Sequence, residues 1–259
     1  MQDAKVILTQ TGPISWITID NRAKHNAMSY AMWCELGLRL AELPISTRCI
    51  VLRGGGMKAF VSGADISEFA GRRRTPEDAD AYDNTAQDVM ARLHNSEIPT
   101  VAMISGYCFG GGVGLALCCD VRIASEDAIF SVPAARLGVG YSWRGLKKLL
   151  DAVSVPMATD LMISARRIAA SEAFIAGLVN RVVAPNDLER EVTAYAEQVA
   201  SNAPLTIRAV KRTIKELSKL GEPDFALCER LAAKCRASDD FLEGARAFME
   251  KREPNFKGK

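Results

Sequence analysis

One pattern occurs twice and constrains the fold more than anything else in the chain. A short apolar run of β type leads into a glycine bend and straight on into a helical start. The first copy is Phe60-Val61-Ser62-Gly63-Ala64-Asp65-Ile66-Ser67-Glu68. The second is Ile104-Ser105-Gly106-Tyr107-Cys108-Phe109-Gly110-Gly111-Gly112, which follows a strand expected over Thr100–Ile104 and opens a helix expected over Gly110–Cys119. In the first, Asp65 with Glu68 three residues on fits a capping box, so a helix or helical turn should begin there. Glycine in such a bend lets another group approach the backbone closely. The N–H groups at a helix start suit a developing negative charge. Either bend alone is equally an ordinary tight turn. Strand, glycine bend, helix and strand in succession form the grammar of an α/β fold.

The rest of the chain fits that grammar. Val6–Leu8 and Ile14–Asp20 read as a hairpin across Thr11-Gly12-Pro13. Ser29 is a candidate N-cap for a helix to Leu43, stopped by Pro44. Arg48–Arg53 reads as a buried strand, Glu77–Asn95 as a helix, and Val121–Ala124 and Ala128–Val132 as strands. From Trp143 onward the pattern is almost wholly helical. One helix starts at Ser171-Glu172 and stops at Gly177, Val182-Val183 is extended, and Leu188–Ser201, Pro204–Leu220 and Pro223–Lys251 are amphipathic. No linker or repeat divides the chain. The expectation is a core over 1–195 and a C-terminal helical region over 196–259. That region is more apolar than an end-cap needs, which points to self-association.

Composition excludes more than it assigns. A chain of 259 residues, 48% apolar with a net charge of +2, is an ordinary globular composition and favours no anionic partner. No apolar run reaches the roughly 18 residues of a membrane span. The opening MQDAKVILTQ lacks a signal-peptide core, so a cytoplasmic location is expected. Seven cysteines without a C-x-x-C pair read as reduced core or interface residues. The two histidines, His25 and His94, give no metal-ligand spacing, so no metal is expected. Cys108 borders the glycines, but no histidine lies near it in sequence to activate a nucleophile, which favours packing. Arg72-Arg73-Arg74 and the helical face of Lys211, Arg212, Lys215 and Lys219 can contact phosphates or nucleic acid. A solvated loop and a solvated face explain them better, and no nucleic-acid partner is expected.

The strings NRAKHNAMS, FVSGADISEF, ISGYCFGGGVGLALCCD, SEDAIFSVPAARLGV, ASEAFIAGLV and FMEKREPNF resemble segments of the crotonase (enoyl-CoA hydratase/isomerase) superfamily. The resemblance covers nearly the whole chain. It implies an α/β spiral of ββα units, with C-terminal helices that pack in a homotrimer, often doubled into a hexamer. It also implies an acyl-CoA thioester as ligand, with coenzyme A part of the substrate and no separate cofactor. Carried over residue by residue, the N–H groups of Ala64 and Gly111 would form an oxyanion hole for the thioester oxygen as it becomes an enolate. Ala23, Lys24, His25 and Ala27 would line the adenosine end, and Ser62, Asp65 and Ile66 the path of pantetheine and adenine. Gly110, Gly114, Pro133, Ala134 and Leu137 would line the substrate pocket. Phe248 and Lys251 would reach a neighbouring subunit's site.

The chain also departs from the resemblance. Adding water across a double bond needs paired acid/base groups, and the resemblance places two glutamates there. Gly114 and Ala134 stand at those positions. The surviving chemistry should need an enolate and no carboxylate base, which fits decarboxylation of a malonyl-type thioester. Two glutamates would also repel a substrate carboxylate. The segment Arg136–Arg144, with Tyr141, resembles the superfamily's methylmalonyl-CoA decarboxylase branch. Tyr141 can orient the carboxylate or protonate the enolate, or simply pack. Arg136 or Arg144 can compensate the carboxylate, or sit in surface ion pairs. A hydratase or isomerase with atypical acid/base groups and a non-catalytic acyl-CoA binder remain alternatives.

Overall fold

The structure is a computed structural model that describes residues 4–68 and 75–259. Arg72-Arg73-Arg74 lies outside the described residues. The hairpin β1 (Lys5–Thr11) and β2 (Ile14–Asp20) pairs antiparallel across the turn at Gly12. The Ser29 hydroxyl accepts from Met32 N and caps α1 (Tyr30–Ala41), two residues shorter than the sequence suggests. Then a three-part unit repeats. The strands β3 (Cys49–Gly54) and β4 (Ala59–Val61) precede α2 (Pro76–Asn95). Next, β5 (Thr100–Ile104) and β6 (Tyr107–Phe109) precede α3 (Gly111–Ala116). Finally, β7 (Val121–Ser125) and β8 (Ile129–Ser131) precede α4 (Ala134–Leu137).

In each unit the first strand joins one sheet and the second joins another. The larger sheet has the order β1-β2-β3-β5-β7-β10, with β10 being Arg181–Val183, and is parallel from β2 onward. The smaller has the order β4-β6-β8-β9, with β9 (Ile168–Ala169) antiparallel to β8. This is a spiral of ββα units.

Strand alternation sorts the core into two layers. Ile17, Ile19, Ile50, Leu52, Ala102 and Ile104 face inward onto Phe60, Cys108 and Phe130 of the smaller sheet. Ile14, Trp16, Cys49, Val51, Val101, Met103 and Ile123 face the other way. They are covered by α8 (Leu188–Ser201) through Leu188, Val192, Ala196 and Ala200, spaced four apart on one helical face. That helix runs across position 195, so the expected boundary falls inside it.

In chain order, α5 (Trp143–Ala152), α6 (Val155–Ser164) and α7 (Ala170–Ile175) follow α4 and precede α8. After α8 come α9 (Pro204–Leu217), α10 (Phe225–Arg236) and α11 (Asp239–Glu250). Several elements differ from the sequence reading. Tyr107–Phe109 is a strand, not part of a turn. The expected helix over Gly110–Cys119 stops at Ala116, because Cys118 and Cys119 tighten into three-residue bonds to Leu115 O and Ala116 O. That turn brings Asp120 to Thr100, whose N and Oγ1 both donate to its carboxylate. The stretch Pro223–Lys251 is two helices, because Ser238 accepts from Phe241 N and caps a new start. Pro204–Leu220 ends at Leu217, and α7 begins at Ala170, one residue before Ser171. Lysines of α9 act as ties. Lys211 donates to Ile98 O and, at 2.6 Å, to Asp120, and Lys215 donates to His94 O. No helix among the described residues is long and apolar enough to cross a membrane.

Candidate active site

The two glycine bends meet. Gly63 has φ +110°, a conformation that disfavours any side chain. A Cβ there would lie 3.4 Å from Phe109 O and 4.0 Å from Gly111 N, so the first bend rests on the second. Gly112 is needed for the same approach, since a Cβ on it would stand 2.1 Å from Val61 O. Gly110 donates to Ser131 O, and a Cβ on it would reach Pro133 Cδ at 3.9 Å. Ala64 bridges to Met28, but the bonds of that bridge use the groups on either side. Met28 N donates to Gly63 O, and Asp65 N to Met28 O. Among the described residues, no acceptor takes the N–H of Ala64 or of Gly111. The touching turns therefore carry a partly exposed pair of unsatisfied backbone donors.

The segment 22–28 is latched to the first bend. Ser62 N donates to His25 O, and Ser62 Oγ to Lys24 O. Lys24 Nζ lies 2.6 Å from Asp65 Oδ2 and 2.8 Å from Ser67 Oγ. Burial works to raise the Asp65 carboxyl, and bonds from Lys24 and Ser67 outweigh it, so its pKa falls below the ordinary value. Ala23, Lys24, His25, Ser62, Asp65 and Ile66 therefore come together, with Ala27 buried beneath them. Asn26, not singled out from the sequence, is the buried anchor. Its Nδ2 donates to Gly55 O and Ala59 O, and its Oδ1 accepts from Asn21 N. The capping box is corrected in one respect. The turn Ile66–Glu68 begins as expected, and Asp65 accepts from Ser67 N. Glu68, however, accepts from Tyr30 N and caps α1, since Asp65 N is already bonded to Met28 O.

The floor has a different character. Gly114 lies in α3, and a Cβ placed on it would be 3.7 Å from the Tyr141 hydroxyl and from both Sδ and Cε of Met90. Met90 comes from α2 and was not marked by the sequence. Tyr141 packs against the main core, and burial, then the nearby Cys118 and Cys108 thiols, push its hydroxyl up to about 12. It therefore stays protonated at neutral pH. Cys108 is fully buried in β6, and burial raises its thiol further from the reactive range. Ala134 opens α4 after Pro133 and packs on the core, while Leu137 is 52% exposed.

The other candidates stand elsewhere. Arg136 is exposed. Arg144 stacks over Trp143 at 4.9 Å and lines a cavity of about 1110 Å³ with Thr100 and Val121. Those residues begin β5 and β7 of the larger sheet. His94 lines the same cavity, and burial followed by Lys215 and Lys148 lowers its pKa to about 4. Phe248 is 82% exposed on α11, and Lys251 caps that helix in a left-handed conformation. No hydrogen bond, ion pair or ring contact joins either to the bends among the described residues.

Comparison with known proteins agrees over the full length. The family profile described as enoyl-CoA hydratase/isomerase matches residues 9–259. A short-chain-enoyl-CoA hydratase of Clostridium acetobutylicum is 32% identical over 256 residues, 97% of each chain. A carnitinyl-CoA dehydratase of Salmonella enteritidis is 34% identical over 97% of this chain and 98% of its own. The crystal structure of an enoyl-CoA hydratase/carnithine racemase from Magnetospirillum magneticum superposes with a TM-score of 0.94 at 31% identity, covering 100% of this chain and 97% of that one. With the spiral of paired sheets and the touching glycine bends, these matches make the chain a member of the enoyl-CoA hydratase/isomerase family.

Proposed function

We propose that the protein binds an acyl-CoA thioester and stabilises its enolate with the N–H groups of Ala64 and Gly111, and that its reaction is decarboxylation of a malonyl-type CoA ester. The observation that carries this reading is the floor. The volume beside Gly114 holds the Tyr141 hydroxyl and the Met90 thioether, and Ala134 contributes no carboxylate. The carbon–carbon bond to the carboxylate breaks, carbon dioxide leaves, and its electron pair becomes the enolate. Each backbone donor to that oxyanion contributes about 3 kcal/mol in the transition state. Protonation of the α-carbon completes the reaction, with Tyr141 as the donor and water returning its proton. Ala23–Ala27 with Ser62, Asp65 and Ile66 hold the coenzyme A portion.

A second reading is hydration or its reverse, favoured by the names of the two relatives, a hydratase and a dehydratase. Incubation with methylmalonyl-CoA and, separately, crotonyl-CoA, with products followed by mass, decides between them. Release of carbon dioxide and propionyl-CoA is expected. Fast hydration of crotonyl-CoA overturns the decarboxylase assignment, and no product from either makes the protein a binder. In Tyr141→Phe the decarboxylation rate should fall by roughly 100-fold or more; an unchanged rate removes the hydroxyl from the mechanism. Exposed Phe225, Phe241, Leu242, Phe248 and Met249 on α10 and α11 support a homotrimer or dimer of trimers, which sedimentation would read directly.

A further inference from the structure

We propose that Gly145 is the positioning residue of this site, because the absence of a side chain there lets the Tyr141 ring lie against α5 with its hydroxyl over Gly114. The inference rests on the reading of Tyr141 as the proton donor.

Tyr141 immediately precedes Ser142, the N-cap of α5, whose hydroxyl accepts from Arg144 N and whose carbonyl accepts from Leu146 N. The cap fixes the backbone on which the ring turns. Four residues on, Gly145 presents its bare Cα to the ring. A Cβ at Gly145 would lie 2.7 Å from Tyr141 Cε1, 3.3 Å from Cζ and 3.4 Å from Cδ1. These atoms belong to a rigid ring, so the clash is relieved only by swinging the whole ring away, and Cζ carries the hydroxyl with it.

At its other end the ring is fixed by α3 and α2. The hydroxyl and Met90 meet at the position a Cβ on Gly114 would take, each 3.7 Å from it. The tyrosine is thus held in a slot with a glycine at each end and a methionine along one side. A methyl group fits at 114, whereas at 145 it enters the ring's own volume. A longer side chain at 114 needs the space that Met90 and the hydroxyl already fill. Positions 114, 141 and 145 therefore form one unit, and a glutamate at 114 excludes Tyr141 from its present place.

The test uses Gly145→Ala, with Gly140→Ala as control, since Gly140 is exposed and a Cβ on it meets nothing within 4 Å. Nitration by tetranitromethane, mapped by peptide mass, reads the ring's position without reference to any reaction. Labelling of Tyr141 should rise at least five-fold in Gly145→Ala and stay at the wild-type level in Gly140→Ala. With methylmalonyl-CoA, kcat should fall at least ten-fold with KM within two-fold. The Gly145→Ala/Tyr141→Phe double variant should match Tyr141→Phe alone. If Gly145→Ala folds poorly, thermal melting in the Tyr141→Ala background decides. Gly145→Ala should then lower Tm in the parent and leave it unchanged or slightly raised once the ring is gone. Wild-type labelling in Gly145→Ala, or equal Tm losses with and without the ring, overturns the positioning role. Raised labelling in a protein that turns over neither substrate leaves that role standing and defeats the proposed reaction.

Discussion

The rim and the floor of the site are built by opposite means. At the rim, main-chain groups of Gly63, Ala64 and Gly111 make the geometry. It is latched by polar bonds from Asn26, Ser62, Lys24 and Glu68. At the floor, side chains fill volume around Gly114, and the groups present are a thioether, buried thiols and a phenol. In the proposed reaction the rim stabilises negative charge on an oxygen. In the same proposal the floor supplies the proton, so what it holds sets the reaction. A family resemblance that rests on the rim therefore says little about the floor.

Two glycines on α3, two residues apart, sharpen this contrast. Gly112→Ala should be the most damaging change, because its Cβ would stand 2.1 Å from Val61 O and force the helix off β4. Overpacking of that kind against backbone should cost about 3 kcal/mol, a drop in Tm of roughly 6–12 °C by calorimetry. Gly114→Ala places its methyl in ordinary contact and should stabilise by roughly 0.5 kcal/mol through helix propensity alone. A destabilised Gly114→Ala would show that the floor is tighter than its distances say. Intermediate in size is Gly114→Glu, which should lose about 1–3 kcal/mol by displacing Met90 and Tyr141. It should lose decarboxylation without gaining hydration of crotonyl-CoA. A functional hydratase from that single change would break the distinction between a permissive rim and a committed floor.

A small effect also belongs to the latch. Lys24 is half exposed, so its pair with Asp65 is partly screened and Lys24→Ala should cost about 1 kcal/mol or less. Because the Asp65 carboxyl is held below its ordinary value in the folded state, its contribution is complete above the unfolded pKa of about 3.9 and lost as the pH falls through the lowered folded value. Acid unfolding of Lys24→Ala, followed by circular dichroism below pH 5, should be less steep than that of the parent. An unchanged acid limb would assign the shift to Ser67.

The rim was legible in the sequence because glycines mark backbone geometry wherever they stand. Gly63, Gly110 and Gly112 each occupy a place a Cβ would disturb or a conformation it disfavours. The apolar run within Arg48–Arg53 likewise read as a buried strand, and β3 is buried along nearly its whole length. Long-range polar bonds were not legible. Asn26 lies in a string read for its neighbours, and its acceptors at Gly55 and Ala59 become neighbours only after folding. Glu68 had a plausible local partner and took one 38 residues away. Met90 gave no signal, since a methionine on a helix's apolar face looks the same whether it packs or lines a pocket. Gly145 was within reach: once Ser142 is seen as a cap, the four-residue step from Tyr141 puts the glycine under the ring.

A donor that belongs to the main chain has no codon of its own. Any residue except proline at position 64 still presents the N–H left unsatisfied there, so point mutation rarely deletes it. The floor, by contrast, is written wholly in side chains and can be rewritten one residue at a time. On the proposed reading, the demanding part of the chemistry comes with the fold, and side-chain changes at the floor can alter the reaction while the charge-holding donors stay.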